Sequence, residues 1–81
     1  MLAVPTHELK RYKEKETNLR IVTYQKLISK NAQWDYSLNK YTNIIVDEAS
    51  MISTHSISQL VKYAASHHMN IYFIGDLDDN K

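Results

Sequence analysis

Asp47 and Glu48 stand side by side at the end of Asn43-Ile44-Ile45-Val46, a short run dominated by β-branched apolar residues. A buried strand that delivers two adjacent carboxylates at its tip suits the chemistry of a hard cation. Mg²⁺ is usually held by one or two carboxylates, with waters and substrate phosphates completing its shell. A second carboxylate beside the first can orient or deprotonate an attacking water. On this reading Asp47 holds the metal and Glu48 is the general base. The plainer reading is that the pair ends a strand and caps the next turn of the chain. A second run, Ile71-Tyr72-Phe73-Ile74, is also apolar and passes through Gly75 to another carboxylate, Asp76. The other polar candidates carry less. His7, His55, His67 and His68 lack the i, i+4 spacing of a helical ligand pair, and His67 and His68 suit a helix C-terminus. Ser50 has no flanking glycine to build a nucleophile elbow.

Asp47, Glu48 and Asp76 can meet only if the two apolar runs lie side by side. The intervening stretch allows this. Ile57, Leu60, Val61 and Ala64 fall at helical spacing, and Thr54 is placed to cap a helix running to about His67. Upstream, Leu2 to Pro5 reads as a strand, with Pro5 at its end because it cannot donate to a ladder. Thr6 caps a mostly polar surface helix from His7 to about Glu16. Leu19 to Val22 reads as a second strand, and Thr23 caps a helix from Tyr24 to about Lys30 with Tyr24, Leu27 and Ile28 on one face. Residues 31–41 have no period and read as a loop. Its aromatics, Trp34, Tyr36 and Tyr41, more often cover a core edge than stack on bases. Strand and helix thus alternate from end to end, which predicts an α/β fold with a mostly parallel sheet and crossover helices. In open sheets of that kind ligands bind beyond the carboxyl ends of the strands, so Asp47, Glu48 and Asp76 should converge at one edge.

The 81 residues allow one small domain, and 43% hydrophobic residues is ordinary for a globular chain. Without cysteine there is neither a disulfide scaffold nor a Cys-based zinc site. No apolar run approaches the roughly 18–20 residues of a membrane span, and Met1 to Thr6 lacks the features of a signal peptide. A cytoplasmic or nuclear setting is the expectation. The net charge of +1 hides an asymmetry. Residues 1–40 hold eight Lys/Arg and four Asp/Glu, whereas residues 41–81 hold two and five. A basic half can meet a polyanion and an acidic cluster a cation, although such runs also serve as solvated faces. The four basic residues between 8 and 16 are read the same way.

Asp47-Glu48-Ala49-Ser50-Met51, preceded by its strand, resembles motif II of superfamily 1 helicases, in particular the RecD-like branch that includes viral and phage replication proteins. Ile71-Tyr72-Phe73-Ile74-Gly75-Asp76 resembles motif III of the same family, where a strand ends in Gly-Asp. Ala3-Val4-Pro5-Thr6-His7 looks like motif Ia, and Thr23-Tyr24-Gln25-Lys26-Leu27 looks like the threonine-centred segment that follows it. Motif Ia thus lies near residues 3–7, motif II at 44–51 and motif III at 71–79. The resemblance implies a partial P-loop NTPase domain of RecA-like fold over residues 1–81. It implies Mg²⁺ and ATP at Asp47, Glu48, Gly75 and Asp76. It also implies a single-stranded nucleic acid, DNA before RNA, at Thr6, His7, Thr23 and Tyr24, with Asp76 linking the two.

Two features depart from that family. The phosphate loop G-x-x-x-x-G-K-[ST] is absent, since Gly75 is the sole glycine. The expected domain therefore lacks its phosphate-loop strand, is inactive alone, and needs the remainder of a parent helicase. Second, the family's Gln three residues after the motif III Asp is replaced by Asp79. Either that Gln is lost, or an insertion displaces it beyond Lys81. Two further readings stay open: a degenerate, non-catalytic remnant that binds nucleic acid, and an unrelated Mg²⁺-dependent phosphotransfer or nuclease domain built on Asp47, Glu48 and Asp76.

Overall fold

The computed structural model describes residues 1–75. Four short strands, β1 (Leu2–Val4), β2 (Ile21–Thr23), β3 (Asn43–Val46) and β4 (Asn70–Phe73), form one sheet in the order β2-β1-β3-β4. Every pairing is parallel, with Leu2 opposite both Ile21 and Ile45, and Val46 opposite Phe73. The sheet is thus wholly parallel where a mostly parallel one was expected, and the α/β architecture is as expected.

The helices form where the local chemistry predicts. The Thr6 hydroxyl accepts from the Leu9 N–H at 3.0 Å and opens α1 (His7–Glu16), which has no buried residue. The Thr23 hydroxyl accepts from the Lys26 N–H at 3.2 Å and opens α2 (Tyr24–Ile28). Helix α3 (Thr54–Ser66) differs from expectation at its start. Ser53 is the cap, accepting from the Ser56 N–H at 3.1 Å, and Thr54 is the first helical residue.

The sheet has two unequal faces. Ala3, Val22, Ile44 and Val46 point to one face and pack with Leu27 of α2 and Leu60, Tyr63 and Ala64 of α3. Leu2, Val4 and Ile21 point to the other and pack with Leu9 of α1 and Ile45. Alternation along each strand creates this division.

Several sequence-based expectations are corrected. The second strand begins at Ile21, not Leu19, which is exposed. Helix α2 stops at Ile28, and residues 30–34 and 36–38 form two single 3-10 turns within the expected loop. Those turns bury Ala32 and Leu38 completely enough to extend the main core. On α3 the buried face is Leu60, Tyr63 and Ala64, while Val61 is 42% exposed. The apolar run 71–74 supplies β4, which begins one residue earlier and ends at Phe73. Tyr72, Phe73 and Ile74 are exposed because β4 is an edge strand; Tyr72, opposite Ile45, lies on the α1 side, and Phe73, opposite Val46, lies on the α3 side.

Candidate functional site

Parallel strands place all their carboxyl ends on one edge, and every sequence-predicted site residue that the structure describes follows such an end. Thr6 and His7 come after β1, Tyr24 follows β2 directly from Thr23 at its end, Asp47 and Glu48 come after β3, and Gly75 after β4. Asp76 and Asp79 lie outside the described residues. The seven described positions therefore lie along one edge of the sheet, and the expected meeting of Asp47 and Glu48 with Asp76 falls outside the described residues.

The carboxylates sit on a tightly bonded turn. The Asp47 N–H donates to the carbonyl of Ala3 at 2.9 Å and so continues the ladder one step beyond β3. Asp47 Oδ1 accepts from the Glu48 N–H at 2.9 Å. Its Oδ2 lies 3.8 Å from Lys13 Nζ, on α1. Glu48 adopts the left-handed conformation, with φ 58° and ψ 37°. That region costs an L-residue other than glycine about 1–2 kcal/mol and is entered where surroundings enforce it. Here the next peptide is tied down, the Ala49 N–H donating to the carbonyl of Ile74 at 2.8 Å. The Glu48 carbonyl also accepts from the Met51 N–H at 3.2 Å, closing a 3-10 turn over Ala49–Met51.

Gly75 earns its place by proximity. A Cβ at this position would lie 2.9 Å from the Ser50 nitrogen and 3.1 Å from that of Ala49. The end of β4 thus lies directly against the carboxylate turn, and only a residue without a side chain fits.

The Tyr24 ring is buried in the main core. Its hydroxyl donates to the carbonyl oxygen of Asp47. Burial first, and then the negative charges of Asp47 and Glu48, push that hydroxyl up to about 12, so it remains a protonated donor. Tyr24 therefore lies beneath the acidic turn. Thr23 is also buried, with its hydroxyl engaged as a helix cap. Thr6 caps α1 in the same way, while Thr6 and His7 both stand exposed.

Beside these residues a cleft of about 240 Å³ is lined by His7, Lys10, Arg20, Ile21, Val22, Thr23 and Lys26. Its rim is basic, although Lys10 is paired with Glu14 at 2.8 Å and Lys26 with Asp35 at 2.7 Å. A second cleft, of about 220 Å³, runs along Ala49, Ser50, Ile57, Phe73, Ile74 and Gly75. A third lies between the last turns of α2 and α3, at the amino edge of the sheet and away from the carboxylates.

Among the described residues, no group of three His, Cys, Asp or Glu side chains comes together as a metal cage. The donor set nevertheless fits Mg²⁺, which takes few protein ligands and keeps its waters. Asp47 offers hard oxygen atoms at a strand tip, and the ammonium group near Oδ2 shows that the position accommodates positive charge.

Two participants escaped sequence reading. Lys13 looked like part of a solvated helix face, and nothing local links it to a carboxylate 34 positions away. Tyr24 was singled out for a different task, and its bond to Asp47 depends on how α2 docks. The match that frames all these residues is with a protein-family profile described as an AAA domain, which covers residues 1–81. No curated protein and no solved structure matches the chain.

Proposed function

We propose that this chain, which belongs to the AAA domain family, is part of the ATPase core of a superfamily 1 helicase that couples Mg-ATP hydrolysis to movement along single-stranded nucleic acid. The family's P-loop NTPase fold makes nucleoside triphosphate hydrolysis the general chemistry. The observation that carries the finer reading is the arrangement along the carboxyl edge. The acidic pair after β3 is flanked by Thr6 and His7 after β1, by Tyr24 after β2, and by Gly75 after β4.

In this reading Asp47 would hold Mg²⁺, and the ion would supply positive charge to the phosphate oxygens. Glu48 accepts a proton from the attacking water as its oxygen bonds to the γ-phosphorus and the bond to the β-phosphate oxygen breaks. The left-handed backbone at Glu48 turns the chain sharply just after Asp47.

The phosphate loop comes from elsewhere in a longer parent, and the sheet favours one place for its strand. Strands lie about 4.8 Å apart, so a strand added beside β4 lies about 10 Å from β3, and one added beside β2 about 14 Å. Only the β4 side also covers exposed Tyr72, Phe73 and Ile74. The backbone groups of Ile71 and Phe73 face that open side, because Asn70 and Ile74 donate the other way, to Thr42 just before β3 and to Val46 at its end. The single strand of nucleic acid, DNA before RNA, runs past Thr6, His7 and the basic cleft.

The test is Glu48→Gln in the parent helicase. Hydrolysis should fall by several orders of magnitude while ATP binding persists; normal turnover would remove Glu48 from the role of base. A second reading, a non-catalytic nucleic-acid-binding module, draws on the basic cleft alone. It calls for salt-dependent binding of single strands with no response to nucleotide.

A further inference from the structure

The peptide that joins Asp47 to Glu48 is held at both polar ends. Its carbonyl accepts the Tyr24 hydroxyl, and its N–H donates to Asp47 Oδ1 at 2.9 Å. The peptide after Glu48 is held by the Ile74 carbonyl at 2.8 Å. Between them Glu48 stays in a left-handed conformation that the local chain would otherwise leave. Asp47 Oδ1 and the Met51 N–H belong to the turn itself. The hydrogen bonds made to these two peptides from other elements come from Tyr24 at the start of α2 and from Ile74 beyond β4.

Tyr24 is also joined directly to the basic cleft. It follows Thr23, which lines that cleft with His7 and Arg20. The Tyr24 ring is packed in the main core with Leu27, so the first turn of α2 and the hydroxyl must move together. Close-packed interiors transmit such displacements rather than absorb them.

We propose that Tyr24 is a positioning residue, by which a single-stranded phosphate backbone in the Thr23 cleft shifts the Asp47–Glu48 peptide and so the aim of the Glu48 carboxylate. The proposal rests on the preceding reading of Glu48 as the base and of the cleft as the strand-binding face. In this role the Tyr24 hydroxyl, engaged by the Asp47 carbonyl, acts through that peptide rather than on the nucleotide.

The test uses the isotope-labelled 81-residue chain and its Tyr24→Phe variant, which keeps the ring and removes the hydroxyl. Losing one hydrogen bond of this kind should speed amide exchange at Glu48 and Ala49 by about tenfold, with Ile44 and Leu60 unchanged. Adding a short oligothymidylate should move the His7 amide resonance in both proteins and the Glu48 resonance in the wild type alone. Unaltered exchange at Glu48 and Ala49 in a folded variant overturns the positioning role. A Glu48 resonance that still responds in the variant overturns the coupling. If the oligonucleotide moves no wild-type resonance, the strand-binding reading falls and the coupling with it, while exchange still decides whether Tyr24 holds the turn. Should Tyr24→Phe unfold the chain, the wild type answers alone: a Tyr24 hydroxyl proton held by the Asp47 carbonyl should exchange slowly enough with water to give its own resonance, and the absence of that resonance overturns the bond.

Discussion

The backbone N–H of Ala49 donates to the carbonyl oxygen of Ile74 across 2.8 Å, so the turn bearing Glu48 is fastened to the edge strand as well as to the strand that precedes it. Gly75 follows at once, with its Cα against the nitrogens of Ala49 and Ser50. The acidic turn and the end of β4 are therefore one mechanical unit.

Gly75→Ala should break that unit. The added Cβ meets backbone nitrogens at 2.9 and 3.1 Å, which cannot rotate away as a side chain would. Overpacking of this kind costs about 1–3 kcal/mol. Urea unfolding should show a loss in that range, and amide resonances of residues 48–51 should shift far more than those of α1. A variant as stable as the wild type would show that the turn yields without strain.

Glu48 offers the converse experiment. Its φ of 58° is open to glycine and strained for alanine. Glu48→Gly should be more stable than Glu48→Ala by about 1 kcal/mol, although neither retains the carboxylate. Equal midpoints in chemical denaturation would mean that the left-handed conformation is relaxed in solution.

Two neighbours on α3 should behave differently. Leu60 is fully buried, and Leu60→Ala should remove about 2–5 kcal/mol, enough to unfold so small a domain. Val61 is 42% exposed, and Val61→Ala should change stability by less than about 1 kcal/mol. Circular dichroism melts of the two variants check the orientation of the helix directly, and comparable losses would contradict it.

Acid should act on the pair at the other end of α2. Lys26 Nζ lies 2.7 Å from Asp35 Oδ2. This hydrogen bond first, and Ser37 second, hold the Asp35 carboxyl down to about 2. Its folded pKa is depressed, so its contribution is complete above about pH 4, the ordinary range of an unfolded aspartate. That contribution is lost as the pH falls toward 2. Asp35→Asn should flatten the dependence of stability on pH across that window and leave the neutral-pH slope unchanged. An identical acid profile in the variant would show that the pair adds nothing.

The positions of the elements were legible in the sequence because their causes are local. Thr6 and Thr23 carry hydroxyls that reach the first turn of a helix, and they cap α1 and α2 as expected. Ile44-Ile45-Val46 reads as a strand from its β-branched side chains, and alternation of strand and helix leads to a parallel sheet. Asp47 and Glu48 were found because a carboxylate pair at a strand tip is visible in one stretch of chain. Ser53, by contrast, displaced Thr54 as a cap, since two adjacent hydroxyl residues compete and only backbone geometry selects between them.

What the tertiary structure decided is everything that rests on contacts between distant segments. Tyr72, Phe73 and Ile74 belong to an apolar run, yet the strand order leaves them on an open edge. No local pattern joins Lys13 or Tyr24 to Asp47, because their meeting depends on how α1 and α2 dock on opposite faces of the sheet. The left-handed backbone at Glu48 follows likewise from the hydrogen bonds that Tyr24 and Ile74 make to the peptides on either side of it. Propensity and pattern act over a few residues, so they specify the elements and deliver the carboxylates to a strand end. Holding the backbone of Glu48 takes groups brought from α2 and from the end of β4, and only packing does that.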